Sequence, residues 1–346
     1  MNNLTRFACL LIVATGLAAS GPLPAQPSRS AVPRVEVRTL DRFERQVARK
    51  AASDSLLFAS VGQGVVARKT VYPGADDFPV PAYVFSPRDT TVARPLVILV
   101  HGGIHSDFGS SHATEVRELV ALGYVVIAPE YRGSTGYGRA HYEAIDYGGK
   151  EVEDCIAAID YAARAVPWAD TSRVAIFGWS HGGFIALHAV LRRPELFRTA
   201  VAHVPVADLP TRMRLHSDAY HELYVRQPAF GARVEVSPEP YVRRSPIAHA
   251  RALRRPVLVH AADNDDDVFI IENRNLRDSM QVAGMIERGL YTYREWHAPP
   301  GGHSFSRMPT PEGRESWSET VAFLARHLGV GSQGSGVEVR GRDRRP

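Results

Sequence analysis

From about residue 95 onward, short apolar runs rich in valine and isoleucine alternate with longer stretches whose apolar positions recur every three or four residues. The first pattern suits strands buried on both faces, and the second suits amphipathic helices. Their alternation predicts βαβ units, and so an α/β fold with a mostly parallel central sheet and helices on both faces. Strands are expected at 96–100, 124–128, 174–177, 200–204, 257–260 and 290–294, the last mixed enough to be an edge. A helix should start at the capping residues Ser110 and Ser111, run through Val116, Leu119 and Val120, and stop at Gly123. The final helix should dock through Trp317, Val321, Leu324 and Leu328 and end at Gly329.

The alternation fails between residues 207 and 250, where five prolines mix with arginines and aromatics, and a small cap insertion is expected there. Residues 26–77 form an N-terminal extension with one helical stretch, too short for a separate propeller domain, and 80–85 is strand-like. A catalytic domain is expected over 78–329, followed by a glycine-, serine- and arginine-rich tail, 330–346, with the composition of a disordered segment. Residues 1–25 place Arg6 before an apolar run and a small-residue region, the order of a secretory signal peptide. That run falls short of the roughly 20 residues that span a bilayer, as does every later one, so the expected product is exported, periplasmic or extracellular, with no stable membrane insertion.

With 346 residues, 45% of them apolar, and a formal net charge of +4, the chain has material for one large core, and its arginine excess, partly in the tail, is weak ground for a nucleic-acid partner. Of its two cysteines, Cys9 lies in the expected signal, and Cys155 sits beside the apolar stripe of a helix, as a packing residue would.

The chemistry centres on Gly178-Trp179-Ser180-His181-Gly182, which follows one predicted strand and opens a predicted helix. This is the context of a nucleophile elbow, a strained turn that pushes a serine hydroxyl into the open. A serine needs a base, and the base needs an acid to fix its tautomer. In the order Ser–Asp–His typical of the α/β-hydrolase fold, the strand 257–260 ends in a loop with Asp263, Asp265 and Asp267, and Pro300-Gly301-Gly302-His303 puts a histidine after the next strand. The candidate catalytic residues are therefore Ser180, His303 and one of these acids. The run Val100-His101-Gly102-Gly103-Ile104 enters a loop from which the N–H of Gly103 or Ile104 is placed to join that of His181 as an oxyanion hole.

Several motifs together resemble the catalytic domain of the prolyl oligopeptidase family of serine peptidases. They are Tyr131-Arg132-Gly133-Ser134-Thr135-Gly136-Tyr137-Gly138, the Gly-Trp-Ser-His-Gly-Gly elbow, Ser245-Pro246, and Gly-Gly-His-Ser-Phe at 301–305. The similarity covers about 78–328. The family pattern, a histidine closing the strand and then an acid three residues before a valine, selects Asp265 counting back from Val268 but lands on Asn264 counting forward from His260, so the loop carries one extra residue; Asp265 is the choice and Asp263 the reserve. The resemblance implies peptide hydrolysis through an acyl-enzyme. Esters of small acyl or carbohydrate groups use the same machinery, and a binding module that lost turnover is the alternative of another class.

Other candidates carry less. Asp263, Asp265 and Asp267 match the start of a calcium loop, but Val268 replaces its glycine and Arg274 its final glutamate. The pairs His101/His105 and His216/His221 lack a third ligand, so no metal is expected, and Gly62-Gln63-Gly64 reads as a turn, so no cofactor is expected. Arg132 and Tyr137 are placed to line a pocket, unless Arg132 is tied to a carboxylate such as Asp154. His297 is a weaker base candidate than His303. The expected partner is a small peptide or ester substrate.

Overall fold

A computed structural model describes residues 41–329, all within the unit Leu40–Pro346. The signal-peptide segment, the start of the N-terminal extension and the tail lie outside the described residues.

Eight strands form one sheet: β1 Val65–Pro73, β2 Pro79–Pro87, β3 Arg94–Val100, β4 Val125–Pro129, β5 Ala169–Trp179, β6 Thr199–His203, β7 Val257–Ala262 and β8 Tyr291–Trp296, in the order β1-β2-β4-β3-β5-β6-β7-β8. β1 pairs antiparallel with β2, and β2 with β4, whereas all pairings from β4 to β8 are parallel. β8 is an edge, as its mixed pattern suggests. This is an α/β-hydrolase fold.

Alternate residues of the inner strands serve opposite faces. Leu96, Ile98 and Val100 enter one buried cluster, and Val97 and Leu99 enter the other. Burial on both faces is what the unbroken apolar runs require. On the second face lie Leu57 and Val61 of the helix Arg42–Val61, Val116 and Leu119 of Ala113–Ala121, and Leu324 and Leu328 of Pro311–Leu328.

Two helix readings need correction. Neither Ser110 nor Ser111 caps the second helix; they open a one-turn 3-10 segment, and Gly109 and His112 precede the two helical pieces without a serine side-chain cap. The buried stripe of the last helix also differs, running through Ser316, Thr320, Phe323, Leu324 and Leu328, with Val321 only half-buried. Strand-end histidines explain the shift. His203 Nε2 lies 2.9 Å from Thr320 Oγ1 and His260 Nδ1 lies 2.8 Å from Ser316 Oγ, so the helix turns hydroxyls inward to satisfy two buried imidazoles.

Between β6 and β7, the helices Leu209–Leu215, Asp218–Val225 and Glu239–Arg243 lead into a 3-10 turn. Met213, Tyr224, Phe230 and Tyr241 from this stretch belong to the same core cluster as the sheet, so the insertion is packed into the domain rather than standing off it.

β3 pairs with β4 on one side and β5 on the other, so the chain changes direction at the carboxyl ends of β3 and β5. Crevices at such a reversal are where open α/β sheets place their sites.

Candidate active site

Ser180 sits at that reversal, between β5 and the helix His181–Arg192, with φ 55° and ψ −120°, a conformation costly for any residue with a side chain. Neighbouring bonds hold it there: the Ser180 N–H donates to the His203 carbonyl at 2.9 Å, and the Phe184 N–H donates to the Ser180 carbonyl at 2.9 Å. The close crossing requires glycine at 182, where a Cβ would press into the Val100 carbonyl and lie 2.6 Å from the His101 carbonyl oxygen. The Phe184 bond is the helix's first, so the N–H groups of His181 and its two successors have no helical acceptor and point at the site with the positive end of the dipole.

The loop after β3 lies against the same point, with a Cβ built on Gly102 falling 3.3 Å from Ser180 Cβ. Tyr131 donates its hydroxyl proton to the Gly103 carbonyl at 2.9 Å, which turns the following peptide plane in a fixed direction. The side chain of His181 is buried, and burial pushes its imidazole down to about 3, so the ring is neutral. Beneath it, burial pushes the carboxyl of Glu151 up to about 7 despite bonds from the Gly148 and Gly149 N–H groups.

The acid and base candidates meet. His303 Nδ1 lies 2.8 Å from Asp265 Oδ2 and 2.9 Å from Oδ1, and Asp265 Oδ1 also accepts the N–H groups of Asp267 (2.9 Å) and Val268 (2.8 Å). The two loops are further tied by the Asn264 side-chain N–H, which donates to the Pro299 carbonyl at 3.1 Å. Burial alone would lower the His303 pKa, but the bond to Asp265 and the charges of Asp265 and Asp267 outweigh it and raise the pKa above the ordinary 6.5. Asp267 Oδ2 stands 3.7 Å from His303 Nε2 and is held in turn by Arg212, whose guanidinium lies 2.7 Å from Asp267 Oδ1 and 3.0 Å from the buried Glu272. Ser180 is buried, 9% exposed, and its Oγ has no hydrogen-bond partner among the described residues, His303 included.

The reserve acid is engaged elsewhere. Asp263 accepts the Ala298 N–H at 2.6 Å and lies 2.5 Å from Nδ1 of His297, a side chain 92% exposed. Arg132 is buried and grips Asp154 with two nitrogens, at 2.7 and 2.8 Å, so it ties down its own loop. Tyr137 donates to Glu130 at 3.2 Å. Cys155 is fully buried. Sequence reasoning passed over three charged residues that the structure brings to the site: Arg212, Glu130 and Lys50. Nothing in the sequence singled out Lys50 or Arg212, and Glu130 offered only its place directly after the wholly apolar β4.

The prolyl oligopeptidase family profile matches residues 110–331. The chain belongs to the prolyl oligopeptidase family. It is 28% identical over 265 residues to the human acylamino-acid-releasing enzyme, a match covering 75% of this chain and 35% of that one. It is 30% identical over 175 residues to acylamino-acid-releasing enzyme 2 of Oryza sativa, covering 48% of this chain and 22% of the relative. The chain thus spans about a third or less of the length of these curated relatives. Among solved structures, a puromycin-hydrolyzing peptidase of Mycobacterium tuberculosis superposes with a TM-score of 0.65 at 27% identity, covering 78% of this chain and 40% of that one. An acylaminoacyl peptidase of Pyrococcus horikoshii, at 18% identity with 82% of this chain and 45% of the other covered, shares the fold with a TM-score of 0.66.

Proposed function

We propose that this chain is an exported serine peptidase acting through Ser180, His303 and Asp265. The observation that carries the reading is the two-oxygen contact of Asp265 with His303 Nδ1, at 2.8 and 2.9 Å, at the carboxyl ends of the strands, where the strained turn at Ser180 also lies.

In this mechanism Ser180 Oγ attacks the substrate carbonyl carbon while His303 Nε2 takes the hydroxyl proton. Asp265 keeps the other ring proton on Nδ1 and offsets the imidazolium charge. The carbonyl oxygen, now an oxyanion, accepts the N–H of His181 and an N–H from Gly103 or Ile104. His303 returns the proton to the leaving amine, and the C–N bond breaks. Water then attacks the acyl-enzyme by the same route, releasing acid and free Ser180. One oxyanion donor is worth about 10²- to 10³-fold in kcat, and the triad about 10⁴- to 10⁶-fold.

The names of its relatives point to N-acylated aminoacyl peptides and aminoacyl amides as the substrate class. Export is supported by the charged and apolar order of residues 1–25. A folded protein should label with a fluorophosphonate probe, and Ser180→Ala should not; wild-type protein that stays unlabelled would remove the hydrolase reading. Parallel turnover of N-acetylaminoacyl anilides, free aminoacyl anilides and short-chain acyl esters tests the substrate class, and hydrolysis of esters alone would remove the peptidase reading. Fractionation of the producing cells tests export, with retention in the cytoplasm the contrary result.

A further inference from the structure

The loop from His101 to Phe108, which carries Gly103 and Ile104, has one carboxylate hydrogen-bonded to its far end and lying beside its near end. Glu130, fully buried just past β4, accepts the Phe108 N–H on Oε1 at 3.1 Å and faces His101 Nε2 with Oε2 at 3.3 Å, while that ring nitrogen pairs with Ser134 Oγ at 3.0 Å. A carboxylate in such a place requires a counter-charge. It comes from Lys50, whose Nζ lies 2.9 Å from Glu130, 3.0 Å from Asp107 and 3.0 Å from Asp54, and donates to the Phe108 carbonyl at 2.6 Å.

Lys50 belongs to the helix Arg42–Val61, which precedes the family-matched segment. The inward stripe of that helix is Phe43, Lys50, Asp54, Leu57 and Val61, so two of its positions hold charges where packing alone would use apolar groups. Burial works against the Lys50 ammonium, but Glu130 and Asp107 outweigh it and keep the group charged. The loop after Arg132 closes over the lysine stem, and only glycine fits at 136, where a Cβ would fall 2.5 Å from Lys50 Cβ and 2.7 Å from Cγ.

We propose that Lys50 is a positioning residue for the oxyanion hole, acting through Glu130 to hold the loop that carries the Gly103 and Ile104 N–H groups. The inference rests on the serine-hydrolase reading above. Donors must be held to within about 0.5 Å of the developing charge, so freeing the loop weakens transition-state stabilisation more than substrate binding.

The test uses the full chain with Lys50→Met, Glu130→Gln and the double variant, each checked for folding by thermal melt. Fluorophosphonate labelling of wild type comes first, and its absence would sink the hydrolase reading separately. With labelling in hand, Lys50→Met should lower kcat about 10- to 100-fold on an anilide substrate while KM stays within about threefold, a split that a merely structural lysine does not produce. The double variant should lose about as much as Glu130→Gln alone. If Lys50→Met does not fold, the double variant, which removes the carboxylate with its counter-charge, carries the same measurement. Wild-type kcat in a folded Lys50 variant, a change in KM alone, or losses that multiply in the double variant would overturn the proposal.

Discussion

Replacing Asp265 with asparagine isolates the acid without removing a side chain. Asp265 Oδ1 accepts two backbone N–H groups, from Asp267 and Val268, so the asparagine oxygen stays there and its NH₂ group takes the place of Oδ2, 2.8 Å from His303 Nδ1. Nδ1 then faces an NH₂ at 2.8 Å and, at 2.9 Å, an oxygen already accepting two N–H groups, which favours Nδ1 as an acceptor with the ring proton on Nε2, the atom that has to receive the proton of Ser180. The loop bonds therefore favour the wrong tautomer. An equivalent swap in a serine protease triad costs about 10⁴-fold in kcat, or about 5.5 kcal/mol of barrier. Asp263→Asn is the control, since its histidine partner is on the surface, and exposed pairs of that kind are worth about 1 kcal/mol or less. The assay is steady-state kcat, with active enzyme counted by fluorophosphonate titration and melting temperatures in parallel. A full loss at Asp263 with none at Asp265 would refute both the register of the acid loop and the reasoning from its hydrogen bonds.

Further expectations follow from the same geometry. Because Asp265 and Asp267 raise the His303 pKa, the acid limb of kcat/KM should lie above pH 6.5, and Asp267→Asn should move it to lower pH; an unmoved limb would remove Asp267 from the electrostatics of the base. Glu151 binds its proton more tightly in the folded protein, about 7 against an ordinary 4.5, so its burial costs nothing below pH 4.5 and its full penalty above pH 7, about 3 kcal/mol. Urea unfolding at pH 5 and 8 should thus show a smaller loss of stability for Glu151→Gln than for wild type, and parallel losses would disprove this. Gly182→Ala, which drives a methyl into two carbonyls, should cost about 3 kcal/mol or more, whereas Gly138→Ala, with open space around its Cβ and φ of 88°, should cost about 1–2 kcal/mol. Equal melting temperatures for the two variants would contradict the close crossing at the elbow.

The parallel strands were legible because strands covered on both faces must be apolar throughout, and the readings at 96–100, 174–177 and 257–260 lie inside the observed β3, β5 and β7. The elbow was legible because Ser180 needs a strand before it and a helix after it. Polar groups buried against one another were not legible. Ser316 and Thr320 look like an exposed face until His203 and His260, more than 50 residues away, are placed opposite them. Lys50 and Glu130 are 80 residues apart in sequence, and each looks like a surface charge alone. The serines at 110 and 111 have the right chemistry for capping, but the backbone there turns as a 3-10 segment, which side-chain type does not encode.

The backbone at Ser180 has a consequence for the history of such proteins. Its φ and ψ belong to glycine's territory, so Ser180→Gly should relieve about 1–2 kcal/mol of conformational strain while removing the nucleophile. The residue proposed above as the nucleophile is thus one that selection for a sturdier fold would discard first. A lineage released from the need to catalyse would gain stability by a single step at this codon, and one that keeps serine here is paying, generation after generation, to hold one hydroxyl at the turn.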